Sequence, residues 1–217
     1  MPIRAVIFDY GMVLSNPADP DAHARLVAIS GLPAEGLDRA YWRHRHEYDL
    51  GLTGPQFWTR VAGDNGVTFT PQQIEQLIET DILMWTSVNE EMLAWVVALQ
   101  NAGLRTAILS NMTSEIMTYM CQELAWLSHF HHLTWSCELG IAKPDSAIYL
   151  HTCEKLGVAP ADALFLDDKI ENIAGARAAG LQALLFTTVD QLRRDLESSS
   201  FAREVPLPSP AVTLPAS

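Results

Sequence analysis

Short apolar runs alternate with longer stretches of helical periodicity along most of the chain. The runs are rich in β-branched and aromatic residues and end at polar residues or glycine, which is typical of strands buried on both faces of a parallel sheet. On this pattern we predict strands at residues 6–8, 105–109, 132–135, 163–166 and 182–186.

A block of helical periodicity separates the first predicted strand from the second. We predict helices in this block at residues 22–30, 34–50, 54–64 and 71–85, and Thr53 and Thr70 are placed to cap the last two. A helical insertion directly after the first strand indicates a lid over the active face of the protein.

Helices and strands alternate after this insertion, with predicted helices at residues 90–100, 114–124, 146–156, 170–179 and 189–197. Such alternation is typical of a parallel sheet flanked by helices. We therefore predict an α/β fold with an inserted all-helical cap. The predicted core domain is 1–15 and 87–197, the helical cap domain is 16–86, and a Pro-rich C-terminal tail at 198–217 is expected to be extended or mobile.

The composition narrows the classes of partner. The chain has 217 residues, of which 48% are hydrophobic and 18% charged, as in ordinary soluble globular proteins. Its formal net charge of -12 would repel nucleic acid and anionic membranes, so neither is expected as a partner. The cysteines lack CxxC spacing, and the N-terminus resembles a first strand and not a signal peptide. These features predict a cytoplasmic location, whereas they do not indicate an oligomeric state.

Polar side chains follow the predicted strands at the points where the strands end. Because the carboxyl ends of parallel strands meet at one edge of the sheet, these side chains are expected to lie together. Carboxylates at two of the ends are suited to Mg²⁺, while a hydroxyl, an amide and an ammonium are suited to the oxygens of a phosphoryl group. The residues concerned are Asp9, Ser110, Asn111, Lys143, Asp167 and Asp168.

Each of these signals also has a structural interpretation when it is taken alone. Asp168 and Glu171 have the spacing of a capping box, and Lys143 could be a surface lysine before a proline in a first helical turn. Ser110 and Thr113 could likewise be N-caps. Their conjunction at successive strand ends favours a functional site, because independent caps have no reason to supply this balance of charge.

The combined motifs resemble the haloacid dehalogenase (HAD) superfamily, whose fold is a Rossmann-like core with a helical cap inserted after the first motif. The motifs are FDYGMVL from Phe8, LSN from Leu109, GIAKP from Gly140 and FLDDKIENIAGA from Phe165. Within that superfamily they are most similar to the branch that holds sugar-1-phosphate phosphatases and the phosphatase lobes of bifunctional epoxide hydrolases.

The resemblance implies a role for each matching residue. Asp9 would be the nucleophile that forms an aspartyl-phosphate, and Lys143 would neutralise the charge that develops there. Mg²⁺ would be held by Asp9, the carbonyl of Gly11 and Asp168, with Asp167 beside them. The phosphoryl oxygens would be bound by Ser110 and Asn111, and Asn172 is a weaker candidate near the same mouth.

The first motif departs from the superfamily pattern at Gly11. Most phosphatases of the superfamily have a second Asp there, which acts as general acid and base. Its loss removes a contribution of ~10²- to 10⁴-fold in rate. A phosphate that leaves from an anomeric oxygen or an acyl group needs less protonation. Alternatively, a cap residue supplies the proton: Arg43 and His46 share a helix face and are the candidates, although this helix also fits a solvated surface of the cap.

These observations predict a Mg²⁺-dependent phosphomonoester hydrolase of a small phosphorylated metabolite, with a sugar phosphate as one candidate, acting through an aspartyl-phosphate on Asp9. One alternative is a 2-haloacid dehalogenase-like hydrolase. Those enzymes resemble DxYGT in the first motif and need no metal, whereas here Tyr10 lies one position early and both Asp167 and Asp168 are retained. A second alternative, motivated by Gly11, is a catalytically weakened protein that binds a phosphorylated ligand without turning it over.

Overall fold

A parallel sheet forms the centre of the computed structural model, which describes residues 2–209. Its strand order is β3-β2-β1-β4-β5, and all neighbouring strands are parallel, as the sequence predicts. The strands are β1 (Ala5–Phe8), β2 (Arg105–Ser110), β3 (His132–Trp135), β4 (Ala163–Asp167) and β5 (Gln182–Leu185).

Four helices, α1 (Pro20–Ser30), α2 (Ala34–Asp49), α3 (Gly54–Asp64) and α4 (Pro71–Met84), follow β1 and share a hydrophobic cluster of their own. The predicted caps at Thr53 and Thr70 stand at the N-cap positions of α3 and α4. The inserted helical unit that the sequence predicts is therefore present.

The remaining helices cover both faces of the sheet, because alternate residues of each strand point to opposite sides. Val6 and Phe8 pack with the helices on one face, whereas Ala5 and Ile7 pack with those on the other. The first layer contains α5 (Glu90–Asn101), α6 (Ser114–Glu123) and α10 (Val189–Ser198), and the second contains α8 (Ser146–Leu156) and α9 (Ile170–Ala178). A short helix, α7 (Ser136–Leu139), follows β3 directly and was not predicted.

Two chain crossings join the helical insertion to the sheet, and they run side by side. Ser15 and Val88 form an antiparallel bridge, and the amide of Asn16 donates a hydrogen bond of 2.9 Å to the carbonyl of Ser87. The insertion is therefore tied to the core at a hydrogen-bonded double crossing.

Within residues 2–209, no helix is long and apolar enough to cross a bilayer.

The segment after α10 packs against the core as far as residue 209. Phe201 and Val205 are buried, and the indole of Trp95 donates a hydrogen bond of 2.7 Å to the carbonyl of Pro206. The tail was expected to be extended or mobile; mobility is wrong for residues 199–209, because the buried side chains of Phe201 and Val205, just before the prolines, anchor this segment. Residues 210–217 of the predicted tail lie outside the described residues.

Helix α9 approaches the loop before α8 very closely at Gly175. A Cβ atom at this position would lie 2.6 Å from the carbonyl oxygen of Pro144 and 2.8 Å from its Cβ. Backbone atoms cannot move aside as the end of a flexible side chain can, so the glycine is required for this contact.

We expect Gly175→Ala to lower the free energy of unfolding by about 1–3 kcal/mol, because the added methyl group forces α9 and the Pro144 loop apart. Gly63→Ala in α3 is the matched control, since no atom lies within 4 Å of the added Cβ. Alanine there should raise stability by about 0.5–1 kcal/mol through helix propensity. Urea unfolding measures both, and equal stability of the two variants would contradict the close contact.

Candidate active site

Asp9 is the first residue after β1 and lies at the carboxyl edge of the sheet. Its amide donates a hydrogen bond of 2.8 Å to the carbonyl of Leu166, the residue that precedes Asp167 in β4. This register brings the two aspartates together from adjacent strands. One carboxylate oxygen of Asp9, Oδ1, accepts a hydrogen bond of 2.7 Å from the amide of Tyr10.

The ammonium group of Lys143 lies between the carboxylates of Asp9 and Asp167. Its Nζ atom is 2.8 Å from Oδ1 of Asp9 and 2.7 Å from Oδ2 of Asp167, and all three residues are buried. Burial by itself disfavours the ammonium, but the two carboxylates outweigh it and raise the pKa of Lys143 above its usual range. Lys143 is therefore a buried, doubly paired cation.

The carboxyl group of Asp9 shows the opposite balance. Burial, aided by the charge of Asp167, raises its pKa to about 7, although Lys143 and Ser110 act to lower it. One ammonium shared between two carboxylates therefore does not fully compensate the removal of Asp9 from water.

Both carboxylate oxygens of Asp167 have hydrogen-bond partners. Besides the contact with Lys143, it accepts hydrogen bonds of 3.0 Å on each oxygen from Nδ2 of Asn172, and one of 2.8 Å from the amide of Lys169. The backbone carbonyl of Asn172 in turn accepts a hydrogen bond of 2.9 Å from the hydroxyl of Tyr149. The arrangement fixes Asp167 in position as the partner of Lys143.

The loop that carries Lys143 is fastened to the end of β2 by the side chain of Asn111. Its Nδ2 donates a hydrogen bond of 3.0 Å to the carbonyl of Lys143, and its Oδ1 accepts one of 2.8 Å from the amide of Lys143. The amide group of Asn111 therefore holds the lysine loop. Ser110 is buried beside it and lines the cavity described below.

Asp168 completes a group of three carboxylates. One oxygen each of Asp9, Asp167 and Asp168 lies within 4.8 Å of the others. Burial and the charge of Asp167 raise the pKa of Asp168 above its usual value, and within residues 2–209 no other side chain donates a hydrogen bond to it. Three carboxylates around one buried ammonium leave an excess of negative charge, and hard oxygen donors at this spacing fit Mg²⁺.

At the sheet edge, most of the residues that the sequence offered as helix caps do not occupy N-cap positions. Lys169 and not Asp168 stands at the N-cap of α9, and Asp145 caps α8, one residue beyond Pro144. Thr113 does cap α6, accepting a hydrogen bond of 3.3 Å from the amide of Ile116. The capping interpretations of Asp168 and Ser110 are therefore wrong, and that of Thr113 is confirmed.

Gly11 is not the residue that turns the chain after β1. Its φ of -60° and ψ of 133° suit any residue, whereas Met12 has the positive φ of 62°. Glycine adopts such angles most readily, yet in this turn a methionine has them. An added Cβ on Gly11 would meet no atom within 4 Å, so the glycine leaves open space at the site.

A cavity of about 360 Å³ lies between the sheet edge and the inserted helices. Asp9, Ser110, Asn111, Lys143, Asp168 and Asn172 line it from the sheet side, together with the backbone turn at Gly11. The opposite wall comes from the inserted helices and contains Trp42, Arg45, Asp49 and Trp85. Asp9, Asp168 and Lys143 thus line one cavity together with residues of the inserted helices.

The proposed cap residues Arg43 and His46 do not line this cavity. Arg43 is exposed and contacts Asp64 at 3.3 Å, and His46 is exposed to solvent. The reason is helix geometry, because residues four positions apart share a face and Tyr41 faces the interior. Positions 43 and 46 point about 160° and 140° away from Tyr41. The spacing from the buried Tyr41 identifies Arg45, which the sequence analysis missed.

Comparison with known proteins places this arrangement in a family. A model for haloacid dehalogenase-like hydrolases matches residues 3–180. Bifunctional epoxide hydrolase 2 of Sus scrofa is 27% identical over 217 residues, covering 91% of this chain and 39% of that protein. The chain spans less than half the length of the bifunctional epoxide hydrolases that it matches.

A phosphatase of Mycobacterium tuberculosis is 27% identical over 209 residues, covering 91% of this chain and 95% of the relative. A solved HAD family enzyme of Bacteroides thetaiotaomicron, in complex with magnesium and inorganic phosphate, shares the fold at 18% identity with a TM-score of 0.69. The alignment covers 85% of this chain and 94% of that one. Phosphatases and 2-haloacid dehalogenases both occur among the similar proteins. Since the family model matches most of the sequence, the chain belongs to the haloacid dehalogenase-like hydrolases.

Proposed function

We propose that the chain is a Mg²⁺-dependent hydrolase of phosphate monoesters of small metabolites and that it acts through an aspartyl-phosphate on Asp9. The observation that carries this proposal is the Asp9 carboxylate itself. It is held at the sheet edge by Lys143 and the amide of Tyr10, inside a cavity that also contains Asp168. The phosphatase and the magnesium and phosphate complex among the similar proteins support the same chemistry.

Asp9 is proposed as the nucleophile that attacks phosphorus. Its Oδ1 already accepts two contacts, from Tyr10 and Lys143, so Oδ2 is the oxygen left to form the bond. The ester oxygen leaves with the electron pair of the broken P–O bond and takes a proton from water. A water molecule then attacks phosphorus in the acyl phosphate, which releases inorganic phosphate and regenerates the carboxylate. Lys143 and the hydroxyl of Ser110 are placed to stabilise the phosphoryl oxygens during both steps.

Asp9, Asp168 and the carbonyl of Gly11 would hold the Mg²⁺, which would supply positive charge beside the transferring phosphoryl group. Asp167 and Asn172 would act on this site by orienting Lys143. Asn111 would act in the same way, since both polar atoms of its side chain are bonded to the backbone of Lys143.

The leaving group is proposed to depart with little help from an acid on the sheet side. Gly11 occupies the position at which the resemblance expects a carboxylic acid. Esters with good leaving groups, such as a sugar 1-phosphate or an acyl phosphate, therefore fit better than simple alkyl phosphates.

A 2-haloacid dehalogenase is the second candidate, since such enzymes occur among the similar proteins. A shared fold does not choose between a phosphate ester and a carbon–halogen bond. The carboxylate group of Asp9, Asp167 and Asp168 supports the ester, because it is suited to a metal ion and the displacement of halide by an aspartate needs none.

The boundaries of the two domains also belong to this proposal. We assign residues 16–86 to a cap domain and residues 1–15 and 87–197 to the core. The double crossing at Ser15 and Val88 supports these boundaries, as does the separate hydrophobic cluster of the cap helices.

Asp9→Asn should reduce kcat on p-nitrophenyl phosphate by more than about 10³-fold, because an amide cannot form the acyl phosphate. EDTA should abolish the wild-type activity, and added Mg²⁺ should restore it. Circular dichroism of the variant checks that the fold is retained. Steady activity after complete removal of metal would contradict the proposed metal dependence.

Gly11→Asp should raise kcat/KM on an alkyl phosphate by about 10²- to 10⁴-fold, because the new carboxyl group can protonate a poor leaving group. Hydrolysis of acetyl phosphate should change by no more than a few-fold. The space around Gly11 admits an added Cβ, and Gly11→Ala is the control for the change in backbone and volume. Absence of hydrolysis in wild type and variant, together with measurable phosphate binding, would favour the weakened, ligand-binding alternative.

A further inference from the structure

The cap side of the cavity carries a fixed pair of opposite charges. Arg45 and Asp49 lie one turn apart on α2, and Nε of Arg45 donates a hydrogen bond of 2.7 Å to Oδ1 of Asp49. Only 13% of the arginine side chain and 12% of the aspartate side chain are exposed, and both residues line the cavity. The pair is therefore part of the substrate space and not of the outer surface.

Hydrogen bonds and aromatic contacts hold the side chain of Arg45 in place. Its Nη1 donates a hydrogen bond of 2.6 Å to the hydroxyl of Tyr41, which donates one of 2.8 Å to the buried carboxylate of Asp81. Its guanidinium carbon also lies 5.6 Å from the ring centre of Trp85 and 5.9 Å from that of Trp42. A charged side chain with this number of contacts presents its remaining hydrogen-bonding atoms in one orientation.

Those remaining atoms are a donor and an acceptor. Among the described residues, neither Nη2 of Arg45 nor Oδ2 of Asp49 has a hydrogen-bond partner. A hydroxyl group both donates and accepts, so vicinal hydroxyls match such a pair. Asp49 offsets the charge of Arg45, and Asp81 adds negative charge beneath it, so a second anionic group on the substrate is disfavoured.

Two indole rings flank the pair. Trp42 and Trp85 have ring centroids 6.3 Å apart and planes at 81°, so they form a corner in the cavity wall. Trp42 is 55% exposed, which is unusual for so large an apolar side chain and marks it as a contact surface. An indole face is suited to the C–H face of a pyranose or furanose ring.

We propose that Arg45 and Asp49 are specificity-determining residues that bind neighbouring hydroxyls of an uncharged polyol or sugar leaving group, while Trp42 contacts its ring. This inference rests on the proposed function, because it places the phosphate of the same molecule at Asp9. It selects a sugar phosphate over an alkyl phosphate and over a phosphate ester that carries a carboxylate.

The test compares kcat/KM for three substrates: a hexose 1-phosphate, acetyl phosphate and phosphoglycolate. Asp49→Asn keeps the size of the side chain and removes its charge, and it should lower kcat/KM on the hexose phosphate by about 10- to 100-fold. Acetyl phosphate should change by less than about 3-fold, since it carries no hydroxyls to bind. Phosphoglycolate should improve, because Arg45 is then less compensated.

Arg45→Lys is the second variant, because it keeps the charge and removes the planar fork of donors. It should show the same selective loss on the hexose phosphate. Arg43→Gln on the same helix is the matched control, since Arg43 lies outside the cavity. Equal changes on all three substrates, or a wild-type preference for phosphoglycolate over the hexose phosphate, would overturn the inference.

A binding measurement separates this inference from the proposed reaction. Calorimetry on Asp9→Asn protein compares the hexose 1-phosphate with inorganic phosphate, and the sugar should bind at least about 10-fold more tightly. Adding Asp49→Asn should remove that difference. If wild type shows no turnover but the sugar-dependent binding is present, the hydrolase proposal fails and the inference stands. If turnover is present and the binding difference is absent, the inference fails alone.

Discussion

The ammonium group of Lys143 is the charge on which the site depends. Asp9 and Asp167 are brought together by the register of β1 and β4, and two carboxylates this close in a buried space repel each other strongly. A single ammonium within 2.8 Å of both makes their proximity tolerable. Breaking a buried pair of this kind leaves an uncompensated charge, which typically costs about 3–5 kcal/mol. The loop that carries Lys143 is accordingly fixed from two directions, by Asn111 at the end of β2 and by the contact of α9 at Gly175.

The sharing of one ammonium also explains which carboxylates at the sheet edge lack a full set of partners. Asp167 uses both oxygens on Lys143, Asn172 and the backbone, so its negative charge is fully engaged. Asp168 has no comparable partner among residues 2–209, and Asp9 shares its lysine. The two aspartates that remain under-compensated are the ones that face the cavity, and this excess of negative charge fits a divalent cation, while the ammonium of Lys143 supplies the positive charge that phosphoryl oxygens need.

The core and most of its polar edge could be predicted because few physical rules determine them. Side chains alternate along buried strands, and the carboxyl ends of parallel strands lie at one edge of the sheet. These two rules place Asp9, Ser110, Lys143 and Asp168 near one another. The turn after β1 could not be predicted from the sequence. Met12 and not Gly11 has the positive φ, although this angle is energetically unfavourable for methionine. The wall of the cap was missed for another reason. Periodicity locates the buried face of α2 only to within a residue or two, and an error of one position rotates the assigned face by about 100°.

The core and the inserted helices place different side chains in the cavity, because each lines only one of its walls. The turn after β1 leaves open space beside Gly11. In the proposed reaction, the sheet edge would therefore contribute the groups that hold and attack phosphorus but nothing that reaches the leaving group. The leaving group would then face α2 and Trp85, which form the opposite wall of the cavity. The hydroxyl of Tyr10, the residue next to Asp9, donates a hydrogen bond of 2.9 Å to the carbonyl of Trp85, and the indole of Trp85 contacts the hydroxyl of Tyr41 at 3.3 Å. The residues that would contact the leaving group are therefore connected by hydrogen bonds to the turn beside Asp9, and these contacts tie the two walls of the cavity together.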